Sequence, residues 1–366
     1  MAGDELLTYN LGPTHPLRPE RLKLALALMK SYGLIAPANL LPPRLAKPDE
    51  LRLFHTEEYL KRVQDYSMRG YGLLDDGDTP AFKGCFEAAS WVAGASLAGI
   101  DAVMSGVADH TFNFSGGLHH AHPDRASGFC IFNDPAICVA FLKENFGIKR
   151  VAYIDIDAHQ GDGVMYGFYS DPSVLDIDFH ENGRYLFPGT GFTDEVGKGE
   201  AKGLKINIPL PPGAGDELYL KAFNMIVPLA LERYKPEFIL FQAGADSHRG
   251  DRLSHLSLTV KTYNGIASKL HALAHEYCAG RIIVFGGGGY NLGNVARCWT
   301  SVFSTFIKIT LPAALPRDWC EYYRTITGED APEALLESEE AVLDEARSQE
   351  VMRLFDQLER TTILGN

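Results

Sequence analysis

Along this chain, short runs of consecutive apolar residues alternate with longer stretches in which apolar positions recur every three or four residues. The first kind includes "VAYIDID" (151–157), "EFILFQ" (237–242) and "RIIVF" (281–285). Runs of this length, rich in β-branched and aromatic side chains, predict strands over 107–114, 150–157, 173–180, 203–209, 237–243 and 281–286. The second kind predicts helices over 84–105, 134–147, 215–234, 257–279 and 291–309. Strands that are apolar at every position need cover on both faces, and intervening helices provide it when the strands run parallel. The expected fold class is therefore α/β: one large domain with a central parallel β-sheet flanked by helices.

No internal repeat or Pro/Gly/Ser-rich linker divides the chain. The character changes near the C-terminus, where "APEALLESEEAVLDEARSQEVMRLFDQLE" combines dense charge with a helical apolar period. We expect a catalytic domain over 1–320 and an acidic helical extension over 321–366, packed on the domain by its apolar stripe. Partner binding is the alternative use of such a helix.

Composition narrows the class. Hydrophobic residues make up 46% and aromatic residues 11% of the 366 positions, ample for a sizeable core. A formal net charge of −13 argues against a surface that tracks nucleic-acid phosphates, and no direct nucleic-acid binding is expected. Cys85, Cys130, Cys138, Cys278, Cys298 and Cys320 form no C-x-x-C pair, which suits reduced thiols and not a disulfide framework or thiolate zinc site. The first residues, "MAGDELLTYNLG", lack the basic and apolar regions of a signal peptide. No apolar run reaches bilayer length. A soluble, cytoplasmic protein without membrane association is expected. The oligomeric state is not readable.

Three segments carry polar residues where an apolar strand should simply stop. In "VAYIDIDAHQGDG" (151–163), Asp155 and Asp157 lie two apart on a strand and should share one face. Carboxylates converging there need a cation, and His159 brings an imidazole to the same point. Asp246, ending "FILFQAGAD", supplies a third donor. One His and two Asp leave coordination positions open, as catalytic zinc requires, and iron(II) or cobalt accept the same set. The competing reading is a set of hydrogen-bonded loop caps. In "SGGLHHAHPDRASGFCIFND" (115–134), His119 and His120 follow a strand and two glycines. Adjacent histidines near a metal suit acid–base work if each has a partner on its other nitrogen, and Asp155 and Asp162 are the spare carboxylates. His122, in the polar "HPDR", reads as a loop residue. In "FGGGGYN" (285–291), glycines between a strand and a helix make a site loop, and Tyr290 offers a phenol to a developing oxyanion.

These segments, in this order, resemble the zinc-dependent histone deacetylase family with its arginase–deacetylase fold. The likeness extends over roughly residues 10–310 and includes "HPLRPERL" (15–22), "LFHTEEYL" (53–60), "FPGTG" (187–191) and "QAGADSHRGD" (242–251). The chain is similar in compactness to bacterial or archaeal members, including acetoin-utilisation-type proteins. The resemblance implies zinc ligands Asp157, His159 and Asp246. It implies a general acid/base His120 paired with Asp162, an electrostatic partner His119 paired with Asp155, and a transition-state tyrosine, Tyr290. Gly128, Phe129 and Phe187 match the walls of an acyl-lysine tunnel, Asp78 a rim aspartate that holds the substrate backbone, and Arg21 the arginine of an internal cavity. The implied reaction is hydrolysis of acetyl-lysine in an acetylated protein or peptide, releasing acetate.

Two positions depart from the family pattern. Asp178, in "LDIDFHE", stands where members often carry Ser beside a monovalent-cation site, so a K+ near Asp155, Asp157 and Asp178 is either strengthened or reorganised. Leu253, in "GDRLSHL", stands where acetylpolyamine hydrolases place an acidic gatekeeper, which favours peptide-borne acyl-lysine over a polyamine. The alternatives are an amidohydrolase for a small acetylated amine or polyamine and a non-catalytic acyl-lysine binder. An arginase-like hydrolase is disfavoured because Asp155 and Asp162 are committed to histidines.

Overall fold

The computed structural model describes residues 1–36, 39–337 and 345–365. Six parallel strands form one sheet: β1 (His110–Asn113), β2 (Val151–Asp155), β3 (Val174–Glu181), β4 (Lys205–Leu210), β5 (Phe238–Gln242) and β6 (Ile282–Phe285). Their order across the sheet is β1-β6-β5-β2-β3-β4. All six expected strands are present, each a residue or more shorter at its amino end than its apolar run, and all five expected helices are present, three between strands, one before β1 and one after β6.

The apolar runs are explained by burial on both faces. On β2, β5 and β6, Ala152, Ile154, Ile239, Phe241, Ile282 and Val284 join one core, while Val151, Tyr153, Phe238, Leu240, Ile283 and Phe285 join the other. Alternate residues point to opposite faces, so every position must be apolar. The first core is closed by the helices Glu20–Ser31, Asp216–Tyr234, Val260–Cys278 and Leu292–Phe306, and the second by Glu57–Arg69, Cys85–Met104 and Asp134–Phe146. β3 differs. Leu175, Ile177 and Phe179 enter the first core, but the opposite face carries buried Asp176, Asp178 and His180. Asp178 stands in register beside Asp155 of β2.

From β2 the chain winds outward to β3 and β4, then crosses back to β5 and winds the other way to β6. β2 and β5 are therefore neighbours from which successive connections diverge, and the crevice beyond their carboxyl ends is where an open α/β sheet can receive a ligand.

Of the expected C-terminal amphipathic stretch, residues 338–344 lie outside the described residues. A helix spans Glu345–Thr361. Leu354, Leu358 and Leu364 enter the first core, and Arg233 donates to the Ile363 carbonyl at 2.6 Å. Among the described residues, no helix is long and apolar enough to cross a membrane.

Candidate metal centre and acid–base pairs

Four loops leaving β1, β2, β5 and β6 converge beyond the carboxyl edge of the sheet. β2 is regular only to Asp155, so Asp155 and Asp157 do not share a strand face as the alternation predicted. The ladder ends with the Ile156 N–H donating to the Gln242 carbonyl, and the chain then turns, with the Asp157 N–H donating to Asp155 Oδ1 at 2.8 Å. That turn sends the two carboxylates to different work.

Asp157 and His159, from the β2 loop, meet Asp246, from the short turn Ala245–Ser247 after β5. One donor atom from each lies within 4.8 Å of the others. His159 Nδ1 stands 2.9 Å from Asp246 Oδ2 and 3.3 Å from Asp157 Oδ1. All three are buried, Asp246 completely. Backbone donors aim the acids: Ala158 N–H to Asp246 Oδ1 at 2.9 Å, and Gly288 N–H to Asp157 Oδ2 at 2.6 Å. A Cβ on Gly288 would lie 2.2 Å from Asp246 Oδ2, so the glycine loop after β6 is what lets backbone close on the site.

The electrostatics require positive charge here. Burial and the neighbouring Asp157 push Asp246 up to about 7. Burial opposes ionisation of Asp157 too, but His119 and His159 outweigh it and hold that acid well below the usual carboxylate range. Burial would lower His159, yet its hydrogen bonds and charge contacts with both acids push it up to about 10. Two buried carboxylates and an imidazole, oriented by backbone N–H groups, fit a divalent cation with open positions.

Beside this trio stand the two histidines from the loop after β1. His119 Nδ1 lies 2.8 Å from Asp155 Oδ2, which also accepts from Tyr153 Oη at 2.6 Å. His120 Nδ1 lies 2.8 Å from Asp162 Oδ1. The two Nε2 atoms are 3.1 Å apart and share one space. Burial lowers both rings intrinsically, but the outcomes differ. Asp155 and Asp157 override burial at His119 and push it up to about 10, whereas burial and the charge of His119 take His120 down to about 4. The surroundings thus favour the charged form of His119 and the neutral, proton-accepting form of His120.

His122 is a loop residue, as its polar surroundings predicted, but its surroundings in space are not polar solvent. It is buried, and its Nε2 lies 3.0 Å from Asp162 Oδ2, so Asp162 serves two histidines. Its spacing of two residues from His120 was the available signal. Also missed were Asp251, which accepts from the Tyr290 N–H at 2.7 Å and sets that loop, and Asp134, which accepts from Gly117 and Leu118 and fixes the turn before His119.

The Tyr290 ring stands edge-on to His159, centroids 6.3 Å apart, and to Phe129 at 5.8 Å. Burial raises its phenol well above the ordinary range, so it stays a donor. Phe187 packs edge-on to His120 at 5.1 Å and is 43% exposed, so it lies on the solvent side of that ring. Gly128 lies between them: its φ is +53°, and a Cβ would come 2.4 Å from His120 Cδ2. Arg21, buried against the Trp299 ring, donates to the Gly287 carbonyl at 2.7 Å. Asp78 is exposed. Its backbone carbonyl meets His15 Nε2 at 3.2 Å, and His15 abuts Phe129. Leu253 is half-buried, and its N–H donates to Asp251 Oδ1. Asp178 is turned from the trio, accepting from Gly161 N–H at 2.7 Å and lying 2.8 Å from His180 Nδ1.

Residues 15–306 match the histone deacetylase domain family. The chain is 40% identical to the acetoin utilization protein AcuC of Bacillus subtilis (strain 168) over 323 residues, 85% of this chain and 82% of that protein. It is 37% identical to the protein of the same name from Staphylococcus aureus (strain MRSA252), covering 90% and 87%. Among solved structures it superposes on an HDAC homolog from Aquifex aeolicus with a TM-score of 0.85 at 29% identity, covering 97% of each chain. An HDAC homolog complexed with SAHA gives 0.84 at 29% identity, covering 96% of each.

Proposed function

The chain belongs to the histone deacetylase family, as an acetoin-utilisation-type member, and from that premise we propose that it hydrolyses acetyl-lysine in protein or peptide substrates, releasing acetate and free lysine. The observation that carries this reading is geometric: His119, held by Asp155, and His120, held by Asp162, bring their Nε2 atoms to 3.1 Å around one space, beside a donor trio suited to a divalent ion.

Asp157, His159 and Asp246 would hold that ion, which we take to be Zn2+, with Fe2+ or Co2+ as substitutes. Bound there, it would supply Lewis-acid polarisation of the amide carbonyl and acidify a water. His120 Nε2 has the lone pair to accept the water's proton, and Asp162 at Nδ1 holds the ring in the tautomer that exposes it. The same nitrogen then returns the proton to the departing lysine amine. His119, charged and held by Asp155, stabilises negative charge beside it. Tyr290, kept protonated by burial, donates to the oxyanion as the carbonyl carbon becomes tetrahedral. Phe129, Gly128 and Phe187 form a slot that suits four methylenes and excludes bulk water. Asp78, which is exposed, would bind the substrate's backbone N–H groups. Arg21 lines the inner end through its hold on Gly287.

We also propose a monovalent cation such as K+ behind the site, close to Asp155, Asp157 and Asp178. Asp155 and Asp178 are register neighbours, both raised by burial and by like charge, so a cation between them would relieve the repulsion. The six cysteines are unpaired and five are buried, which suits a reducing compartment such as the cytoplasm.

The test is acetate release from an acetyl-lysine peptide and from an acetylated polyamine, using metal-stripped protein with Zn2+, Fe2+ or nothing restored. Metal-dependent turnover of the peptide supports the proposal. Turnover of the small amine alone would replace it with a small-molecule amidohydrolase. A peptide that binds without releasing acetate would make the chain an acyl-lysine binder.

A further inference from the structure

At the amino-terminal end of the strands, on the far side of the sheet from the acid–base pairs, three histidines point ring nitrogens at one another. His110 opens β1. His271 and His275 lie four residues apart on the helix Val260–Cys278, and so project from one face on successive turns. His110 Nε2 is 3.1 Å from His271 Nε2, which is 3.1 Å from His275 Nε2. All three donor atoms lie within 4.8 Å of one another. His271 is buried, His110 half-buried and His275 exposed, so the cluster opens to solvent on the His275 side.

Proton counting shows that these nitrogens cannot all satisfy each other. His110 Nδ1 lies 2.8 Å from the Gly280 carbonyl, which can only accept, so the proton sits on Nδ1 and the inward Nε2 is a lone pair. His271 Nε2 faces two nitrogens. Two inward N–H groups on His271 and His275 would confront each other, so only one proton fits among the three atoms. At least two lone pairs then converge on a single point. A cation at that point satisfies all three. Around tetrahedral zinc, with Zn–N near 2.0–2.1 Å, neighbouring nitrogens stand about 3.3 Å apart, close to the spacings here. The rings are held beforehand: Gly280 anchors His110, and Phe306 packs against His110 and His271, centroids 5.4 and 5.2 Å away. A carbonyl on the non-ligating nitrogen is the support that metal-binding imidazoles ordinarily have.

We propose that His110, His271 and His275 form a second transition-metal site, for Zn2+ or a related imidazole-seeking ion. Its fourth position faces solvent, where Lys308 lines the adjoining depression, leaving room for water or an anion as the remaining ligand. The site joins the start of β1 to the helix Val260–Cys278, so occupancy stabilises that end of the sheet.

The test counts metal on the full chain after equilibrium dialysis against Zn2+. Wild-type protein should hold one equivalent more than His275→Ala or His275→Lys, both at an exposed position. Asp246→Ala should lose a different equivalent, so that the double variant Asp246→Ala/His275→Ala loses both. In the Asp246→Ala background, added Zn2+ should raise the melting temperature, and adding His275→Ala should abolish the rise. Equal zinc counts in wild type and both His275 variants would overturn the proposal and leave a hydrogen-bonded imidazole chain. The outcome does not depend on the deacetylase reading, because it is taken as a difference between variants.

Discussion

Two trios of donor side chains occupy opposite ends of the same sheet, and they are built differently. Asp157, His159 and Asp246 are buried, two of the three are acids, and backbone N–H groups hold the acids in place. His110, His271 and His275 are imidazoles only, grade from buried to exposed, and include one ring anchored on the Gly280 carbonyl. Burying carboxylates costs several kcal/mol each without a counter-charge, so the first trio needs positive charge beside its acids, from protonated imidazole or from a bound cation. Neutral imidazoles carry no such penalty, and the second trio is a site that can bind an ion without depending on one. The carboxyl end also brings proton-transfer groups alongside its trio, and the amino end does not. That difference separates a site equipped for chemistry from one equipped for binding.

The largest effect expected from breaking this contrast comes from Asp246→Ala. Removing one acid should cost the metal and at least about 10³-fold in turnover, several kcal/mol of transition-state stabilisation. Metal analysis with acetate-release kinetics checks both. Gly288→Ala should come next. It removes no donor, but its methyl group would lie 2.2 Å from Asp246 Oδ2, so metal affinity should fall although every ligand remains. Unchanged affinity would show that the glycine loop yields easily.

Tyr290→Phe should keep the metal and the fold yet lose about 10²–10³-fold in kcat, the usual effect of deleting one oxyanion donor. A variant as active as the parent would remove Tyr290 from the chemistry. The pH dependence separates the two histidines. With His120 lowered to about 4, its neutral form is the base, so activity should persist as pH falls through 6.5 and drop only as pH approaches about 4. An acid limb near 6.5 in kcat/KM would contradict the assignment. The smallest effect belongs to His122→Ala. Asp162 would lose one of its two imidazole partners and act more strongly on His120. The acid limb should move toward higher pH, with a loss in kcat/KM of less than roughly tenfold.

Much of this was legible because strand burial leaves a strong mark. "FILFQ" and "RIIVF" are apolar at successive positions because both faces of β5 and β6 are covered, and only a buried parallel sheet requires that. The donors were legible for the complementary reason: Asp157, His159 and Asp246 interrupt apolar sequence, where an acid without a partner would be destabilising. His122 reads as a loop residue and is one, but its neighbours in sequence gave no sign of its buried partner, because only the return of the chain after β2 brings Asp162 over it. The separate fates of Asp155 and Asp157 were hidden too, since strand alternation holds only while the ladder lasts. Its end at Asp155 is set by pairing with β5, more than eighty residues away in sequence.

From its own order of residues the chain determines which segments must be buried, which must curve into helices, and which acids and histidines need company. Those are local consequences of side-chain chemistry repeated at strand or helix spacing. Tertiary structure alone decides who the company is: that Asp162 serves two histidines, that the surroundings favour the charged form of His119 and disfavour that of His120, and that His110 meets two histidines from a helix some 160 residues further on. Distances of about 3 Å between residues remote in sequence fix protonation and ligation, and no periodicity along the chain encodes them.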